Sequence, residues 1–322
     1  MLAIVCPGQG SQTPGFLAPW LELPAFRARL ESLSDVAGLD LVAHGTTSDA
    51  ETIKDTAVAQ PLIVAAGLAA AAVVLPAGPA GTVGVTAGHS VGEITACAFA
   101  GVLSDHDAMV FVRERGAGMA AASALTPTGM SAVLGGDPAA VAEALARHGL
   151  TAANANGAGQ TVAAGTLEQL AALAADPPAK ARVIPLQVAG AFHTTHMSPA
   201  VDALRTLSAD FEVSDPGVTL LSNADGRPVA DGVDALARLV KQVSSPVRWD
   251  LCMQTMADLG VTALLELTPA GTLVGLAKRA MPGVATLAVK TPDDLEAAQQ
   301  LVRDHGGDPA DAGSLPTDAQ EA

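Results

Sequence analysis

The chain has 322 residues, 49% of them apolar, with 33 acidic against 17 basic side chains and a formal charge of -16. A chain of this length buries a large core without disulfide scaffolding, and its acidity excludes a broad, non-specific grip on nucleic acid, which needs net neutralisation of phosphates. The lack of tyrosine excludes a tyrosyl acid or base, and Cys6, Cys97 and Cys252, none in a C-x-x-C pair, fit a reducing compartment and not a thiol-clustered zinc site.

In chain order, residues 2–5 predict a short buried strand running into the loop Pro7-Gly8-Gln9-Gly10-Ser11-Gln12. With no basic n-region and an immediate Pro-Gly, this start reads as a first strand and not a signal peptide, so a cytoplasmic protein is expected. Residues 59–75 predict a buried helix with Pro61 near its start, and the apolar stretch 62–75 falls short of the roughly 20 residues of a membrane span. A strand at 82–86, a helix at 91–100 closed by Gly101, and a helix after Ser104-Asp105-His106-Asp107 that carries Arg113, Arg115 and Met119 follow.

The middle reads as strand 130–134, helix 138–148, strands 152–154 and 161–165, helix 167–175 and strand 183–188, the β-α-β-β-α-β order of a ferredoxin-like unit. Strands near 219–222, 263–266 and 285–288 resume the α/β alternation, and beyond 304 the chain loses all apolar period. The expected boundaries are a core from 1–125 and 190–303, an inserted subdomain at 126–189 and a disordered acidic tail at 304–322.

The strongest chemical signal is Gly88-His89-Ser90-Val91-Gly92 between a predicted strand and a predicted helix. That is the place of a nucleophile elbow, where a strained turn exposes the serine hydroxyl and flanking glycines avoid backbone clashes. The serine needs a base from elsewhere in the chain. His44, His106, His148 and His305 sit in polar turns or at helix ends, whereas His193 and His196 follow directly on the inserted unit. No acid or thiol beside that pair supports a metal site. A dinucleotide-binding reading of Gly8-Gln9-Gly10 fails because Thr13 occupies the third glycine position.

Pro7-Gly8-Gln9-Gly10-Ser11-Gln12, Gln60-Pro61, the Ser90 pentapeptide, Arg115-Gly116 with Met119, and Phe192-His193 occur in the order and rough spacing of malonyl-CoA:acyl-carrier-protein transacylases and related polyketide acyltransferase domains, which the chain resembles over about residues 2 to 290. The resemblance implies an α/β-hydrolase-like core with a ferredoxin-like insert, and a ping-pong transfer of malonyl from malonyl-CoA to an acyl carrier protein through Ser90, with no cofactor and no metal. It implies His193 as general base, the backbone carbonyl of Gln242 as its orienter, and the amides of Gln9 and Val91 as oxyanion hole. Arg115 would take the malonyl carboxylate, since a guanidinium offers a planar two-donor fork. Gln60, His89, Asn154, Asn156 and Phe192 are implied substrate or pantetheine contacts. Val91 and Phe192 resemble the malonyl-preferring pattern, whose bulk leaves little room for an α-methyl branch. Where the family usually has a Gly-Pro-Gly turn, this chain reads Leu267-Thr268-Pro269-Ala270-Gly271.

A serine thioesterase or esterase of α/β-hydrolase type is the rival, but it needs an acid, and Asp105, Asp107, Asp137 and Asp176 fall mostly in caps or turns. A non-catalytic thioester-binding module would form no covalent adduct. The expected partners are themselves anionic, so basic residues should gather at the cleft. Residues 177–201, 235–249 and 267–292 contain Lys180 and Arg182, then Arg238, Lys241 and Arg248, then Lys278, Arg279 and Lys290, and no acid. A positive docking rim of Lys180, Arg182, Lys241, Arg248, Lys278 and Arg279 is therefore expected, on a protein that is monomeric and binds neither membrane nor nucleic acid.

Overall fold

Strands β1 (Leu2–Cys6), β2 (Val85–Gly88) and β10 (Ala263–Glu266) are buried along their whole length. Continuous burial is the mark of parallel strands covered on both faces. The computed structural model, which describes residues 1–307, has β3 at Thr128–Gly135, β4 at Thr151–Gly157, β5 at Gln160–Thr166 and β6 at Ala181–Pro185. It places β7 at Thr219–Leu221, β8 at Pro228–Val229, β9 at Val247–Arg248 and β11 at Ala285–Ala288. The larger sheet runs β11-β10-β1-β2-β7-β8, parallel except for the antiparallel edge strand β8.

Alternate residues of β1 feed two cores. Leu2 and Ile4 pack with the helices Thr56–Val74 and Asp105–Leu125, and Ala3 and Val5 pack with Trp249–Asp258 and Thr272–Ala280. The sheet is thus roofed by helices on both sides, a mixed α/β architecture. Asp55 starts the 19-residue helix Thr56–Val74 by accepting from the Ala57 amide at 2.7 Å. That cap extends the helix beyond the expected start at 59, making it long and apolar enough to cross a membrane by length and composition. Of its apolar window, 78% is buried inside the fold, so its hydrophobicity is satisfied by protein.

The second sheet has the order β6-β3-β5-β4-β9, antiparallel except for β9, which joins β4 in parallel. Helices Pro138–Arg147 and Leu167–Ala175 cover one face around Val133, Leu145 and Leu173, while Met130, Val162 and Ala164 on the other face close onto the main core. The sheet therefore extends beyond residues 126–189. The β-α-β-β-α-β order leaves the outer edge of β4 unpaired, and Val247–Arg248 pairs with it.

Two further boundaries differ from the sequence expectation. Turns at Gly78 and Gly81, both with positive φ, carry the chain around so that β2 joins the sheet only at Val85 and not at residue 82. At the other end the helix Leu295–His305 continues past 303, and the Gly307 amide donates to the Thr82 carbonyl at 3.0 Å. The remainder of the expected tail, 308–322, lies outside the described residues.

Candidate active site

β2 ends at Gly88 and the helix Gly92–Phe99 begins four residues later, so the turn between them must be tight. Ser90 sits at its apex with φ 54, in the left-handed region that costs a non-glycine residue energy. A Cβ on Gly88 would stand 1.9 Å from the Gly92 carbonyl oxygen, and one on Gly92 would stand 2.2 Å from that of Cys6. We expect Gly88→Ala to destabilise the protein by at least about 3 kcal/mol, because the atoms the added methyl would meet, the Gly92 carbonyl and the Glu93 amide, are backbone and cannot swing aside as a side chain can. A thermal melt within 2 °C of wild type would contradict that geometry.

His193, also at positive φ, sits after β6 on the loop that returns to the larger sheet. Its Nδ1–H donates to the Gln242 carbonyl at 2.9 Å, which leaves Nε2 with a free lone pair. Ser90 Oγ donates to that Nε2 at 2.6 Å. Burial, and then the Arg115 cation, push the His193 imidazole down to about 3, so it is neutral and able to accept a proton near neutral pH. The acceptor for Nδ1 is a main-chain carbonyl and not a carboxylate, which separates this dyad from the acid-bearing triad of the esterase rival. His196 lies apart in the short helical turn Thr195–Met197.

Arg115 projects from the helix Asp105–Leu125 and is fully buried. Its Nη1 donates to Gln60 Oε1 at 2.6 Å, and its Nη2 donates to Gln242 Oε1 at 2.8 Å and to Ser90 Oγ at 3.4 Å. Its Nε is buried with no partner among the described residues. Burial pulls the guanidinium down to about 10, with the Glu93 carboxylate opposing, so the group remains a cation at neutral pH. Gln60 thus holds the arginine directly.

Gln9 and Ser90 line one cleft of about 200 Å³, while the Val91 side chain turns into the core. Neither the Gln9 nor the Val91 amide donates to another group among the described residues, whereas the Ser90 amide donates to Asn223 Oδ1 at 2.8 Å. The two uncommitted amides flank the nucleophile. His89, Asn154, Asn156 and Phe192 also line the cleft, and His89 Nε2 lies 2.9 Å from Asn156 Oδ1. Burial holds His89 below the usual imidazole range, so it meets Asn156 as a neutral donor.

The basic residues divide into two sets. Lys180, Arg182, Lys278 and Arg279 are exposed. Arg279 Nη2 donates to Gln160 Oε1 at 3.4 Å, and Gln160 lines the cleft. Arg182 stands in register with Leu134, which pairs on its other side with Gln160. Lys241 and Arg248 instead line a separate groove with Asp225 and Asp234. Arg248 is held by both oxygens of Asp250, and Arg238 is tied to Asp225 and Asp234. The expected contribution of 235–249 to the rim is therefore corrected: the neutralising acids lie just outside that stretch in sequence and beside it in space.

Sequence reasoning passed over Glu93 and Asn223. Asn223 accepts from the Ser90 amide and donates through Nδ2 to the Gly88 carbonyl at 2.7 Å, bracing both sides of the turn. Glu93 is 3% exposed, accepts from the Asn223 amide at 3.0 Å and makes a short contact with Gln242 Nε2. A single acid in the otherwise neutral helix Gly92–Phe99 was the available sign, since a buried carboxylate requires partners. Asn223 looked like an ordinary turn residue; its importance comes from β7 lying beside β2.

Residues 3–309 match the family model described as acyl transferase domain. The malonyl CoA-acyl carrier protein transacylase of Mycobacterium tuberculosis is 52% identical over 302 residues, covering 94% of this chain and all of the relative. The crystal structure of MCAT from the same organism superposes with a TM-score of 0.90 at 52% identity, covering 93% of this chain and 99% of that one. A malonyl-transacylase solved in complex with its type II PKS acyl-carrier protein superposes with a TM-score of 0.86 at 30% identity, covering 93% and 99%. Together with a hydrogen-bonded Ser-His pair beside a buried arginine, these likenesses place the chain in the acyl transferase domain family, among its malonyl CoA-acyl carrier protein transacylases.

Proposed function

We propose that this protein transfers malonyl from malonyl-CoA to the phosphopantetheine thiol of an acyl carrier protein. The observation that carries the reading is one serine oxygen placed 2.6 Å from a neutral histidine nitrogen and 3.4 Å from a buried guanidinium. The first contact makes a nucleophile, and the second supplies a site for an acyl group that ends in a carboxylate.

In the first half-reaction His193 Nε2 takes the Ser90 proton as Oγ bonds to the thioester carbon. The Gln9 and Val91 amides receive the developing oxyanion. The carbon–sulfur bond then breaks and the imidazolium returns its proton to the CoA sulfur, leaving malonyl-Ser90. In the second half the carrier thiol gives its proton to His193 and attacks the ester, and Ser90 leaves with that proton. Each step exchanges an acyl group and a proton, so the chemistry calls for no cofactor and no metal.

Arg115 selects the acyl group, because an uncharged chain beside it would leave a desolvated cation without its anion. His89, Asn154, Asn156 and Phe192 are assigned to the acyl group and the pantetheine arm, and Gln60 to holding Arg115. We assign the larger sheet and its helices to an α/β-hydrolase-like core, residues 1–125 and 190–303, and residues 126–189 to a ferredoxin-like insert. Supporting this are the parallel order with an elbow after β2 and the β6-β3-β5-β4 order of the smaller sheet. The protein is assigned as a cytoplasmic monomer.

The test is intact mass: wild type should gain one malonyl from malonyl-CoA and lose it when a carrier with its phosphopantetheine thiol is added. No gain, or release as free malonate without a carrier, would overturn the reading. For the mouth, reversing Lys278 and Arg279 to Glu should raise the carrier KM about tenfold at low salt and less at high salt, as exposed charges are screened. An unchanged KM would remove those residues from the docking surface.

A further inference from the structure

Gln242 touches Ser90, His193 and Arg115 at once. Its main-chain carbonyl accepts from His193 at 2.9 Å, and its side-chain Oε1 accepts from Arg115 Nη2 at 2.8 Å. Its Nε2 donates to the Ser90 carbonyl at 3.1 Å, to Asn223 Oδ1 at 3.3 Å and to Glu93 Oε2. A carboxamide has an accepting end and a donating end of nearly equal size, and only its neighbours decide which way round it sits. Arg115 can only donate. The Ser90 carbonyl can only accept, and Asn223 is locked with Oδ1 toward Gln242 because its Nδ2 donates to Gly88.

Glu93 adds a charged acceptor on the same side. As a carboxylate it accepts only, so its oxygen demands the Nε2 end and sends Oε1 to Arg115. A neutral group at 93 withdraws that charged acceptor and can present a donor to Nε2, so the amide is held less firmly against the guanidinium, although the Ser90 and Asn223 oxygens still favour the same orientation. We propose that Glu93 is a positioning residue for acyl-group selectivity, holding the Gln242 amide in the orientation that keeps Arg115 aimed at the acyl group on Ser90. The inference rests on the malonyl-transfer reading.

The arrangement makes selectivity sensitive to pH. Burial pushes Glu93 up to about 7, with Arg115 and its hydrogen-bond donors pulling the other way. The groups facing it are the Arg115 cation, held near 10, the buried thiols of Cys97 and Cys252, pushed far up, and the neutral Gln242, Asn223 and Ser222. His193, near 3, is already neutral. Of these groups only Glu93 changes charge between pH 6 and 8, and it is the charged form, favoured as pH rises, that fixes the amide.

The test measures the rate of acyl-enzyme formation from malonyl-CoA and from acetyl-CoA between pH 6 and 8.5, in wild type, Glu93→Gln and Gln242→Met. The Met variant removes the amide and keeps the main-chain carbonyl that orients His193. Wild-type preference for malonyl should rise several-fold as pH rises through about 7. Glu93→Gln should show a preference at least tenfold lower and independent of pH, and Gln242→Met should lose the preference to a similar degree. A Glu93→Gln preference within twofold of wild type, or above it as simple relief of charge repulsion would give, overturns the inference. So does a wild-type preference that is flat with pH, which needs no variant to fold. Wild type showing no preference for malonyl at any pH overturns the malonyl reading itself, and this inference with it.

Discussion

Ser90→Ala should fold as wild type does and take up no malonyl from malonyl-CoA, with turnover reduced by at least about 10³-fold. The loss follows from the geometry at one atom. Oγ is the only group the site aims at a substrate carbon with its proton already shared with a base, at 2.6 Å from His193 Nε2. Removing it deletes the covalent route and leaves only the positioning supplied by the uncommitted amides and Arg115. The turn should survive, because its conformation is held by the Ser90 amide on Asn223 and by the glycines, none of which involves the hydroxyl. Intact mass after malonyl-CoA, with a thermal melt as control, decides it. A malonylated Ser90→Ala protein would reassign the nucleophile.

Arg115→Ala should lower kcat/KM for malonyl-CoA by at least about 100-fold and raise relative activity on acetyl-CoA. The guanidinium donates to Gln60, Gln242 and Ser90 at once, so its removal also strips donors from two buried amides and leaves Glu93 without its nearest buried cation. Breaking one side of such a buried arrangement costs about 3–5 kcal/mol. The melting temperature should therefore fall together with the malonyl rate, while the ratio of malonyl to acetyl transfer isolates the selectivity effect. An unchanged ratio would refute a carboxylate-binding role, whatever happens to stability.

These expectations depend on different kinds of information. The Ser90 elbow was readable because it is local: a strand, a serine between glycines and a helix lie within a short span, and the clash distances at Gly88 and Gly92 state why no larger residue fits. The β-α-β-β-α-β order was readable for a similar reason, since apolar period and turn residues mark each element. What covers the edge of β4 was not, because the partner strand Val247–Arg248 is two residues long and carries no pattern of its own. The acid-free stretch 235–249 was misjudged because its bounds stop one residue short of Asp234 and Asp250, which pair with Arg238 and Arg248, and because the fold brings Asp225 to Arg238 as well.

By itself the sequence determined the α/β class, the nucleophile and, through a specific ordered set of motifs, the family. Each of these is written in neighbouring residues or in the order of such groups along the chain. Only the tertiary structure decided that Arg115 is fully buried and shares its donors with Gln60 and Gln242, that Asn223 braces the turn, and that Glu93 meets the amide of Gln242. Those residues come from four separate helices and the turn after one strand, and hydrogen bonds of about 3 Å between groups distant in sequence exist only once the sheet has set β2, β7 and their flanking helices side by side. The -16 charge that excluded a broadly basic binder is likewise a property of the whole surface, and the fold alone determines which cations remain unpaired at the mouth.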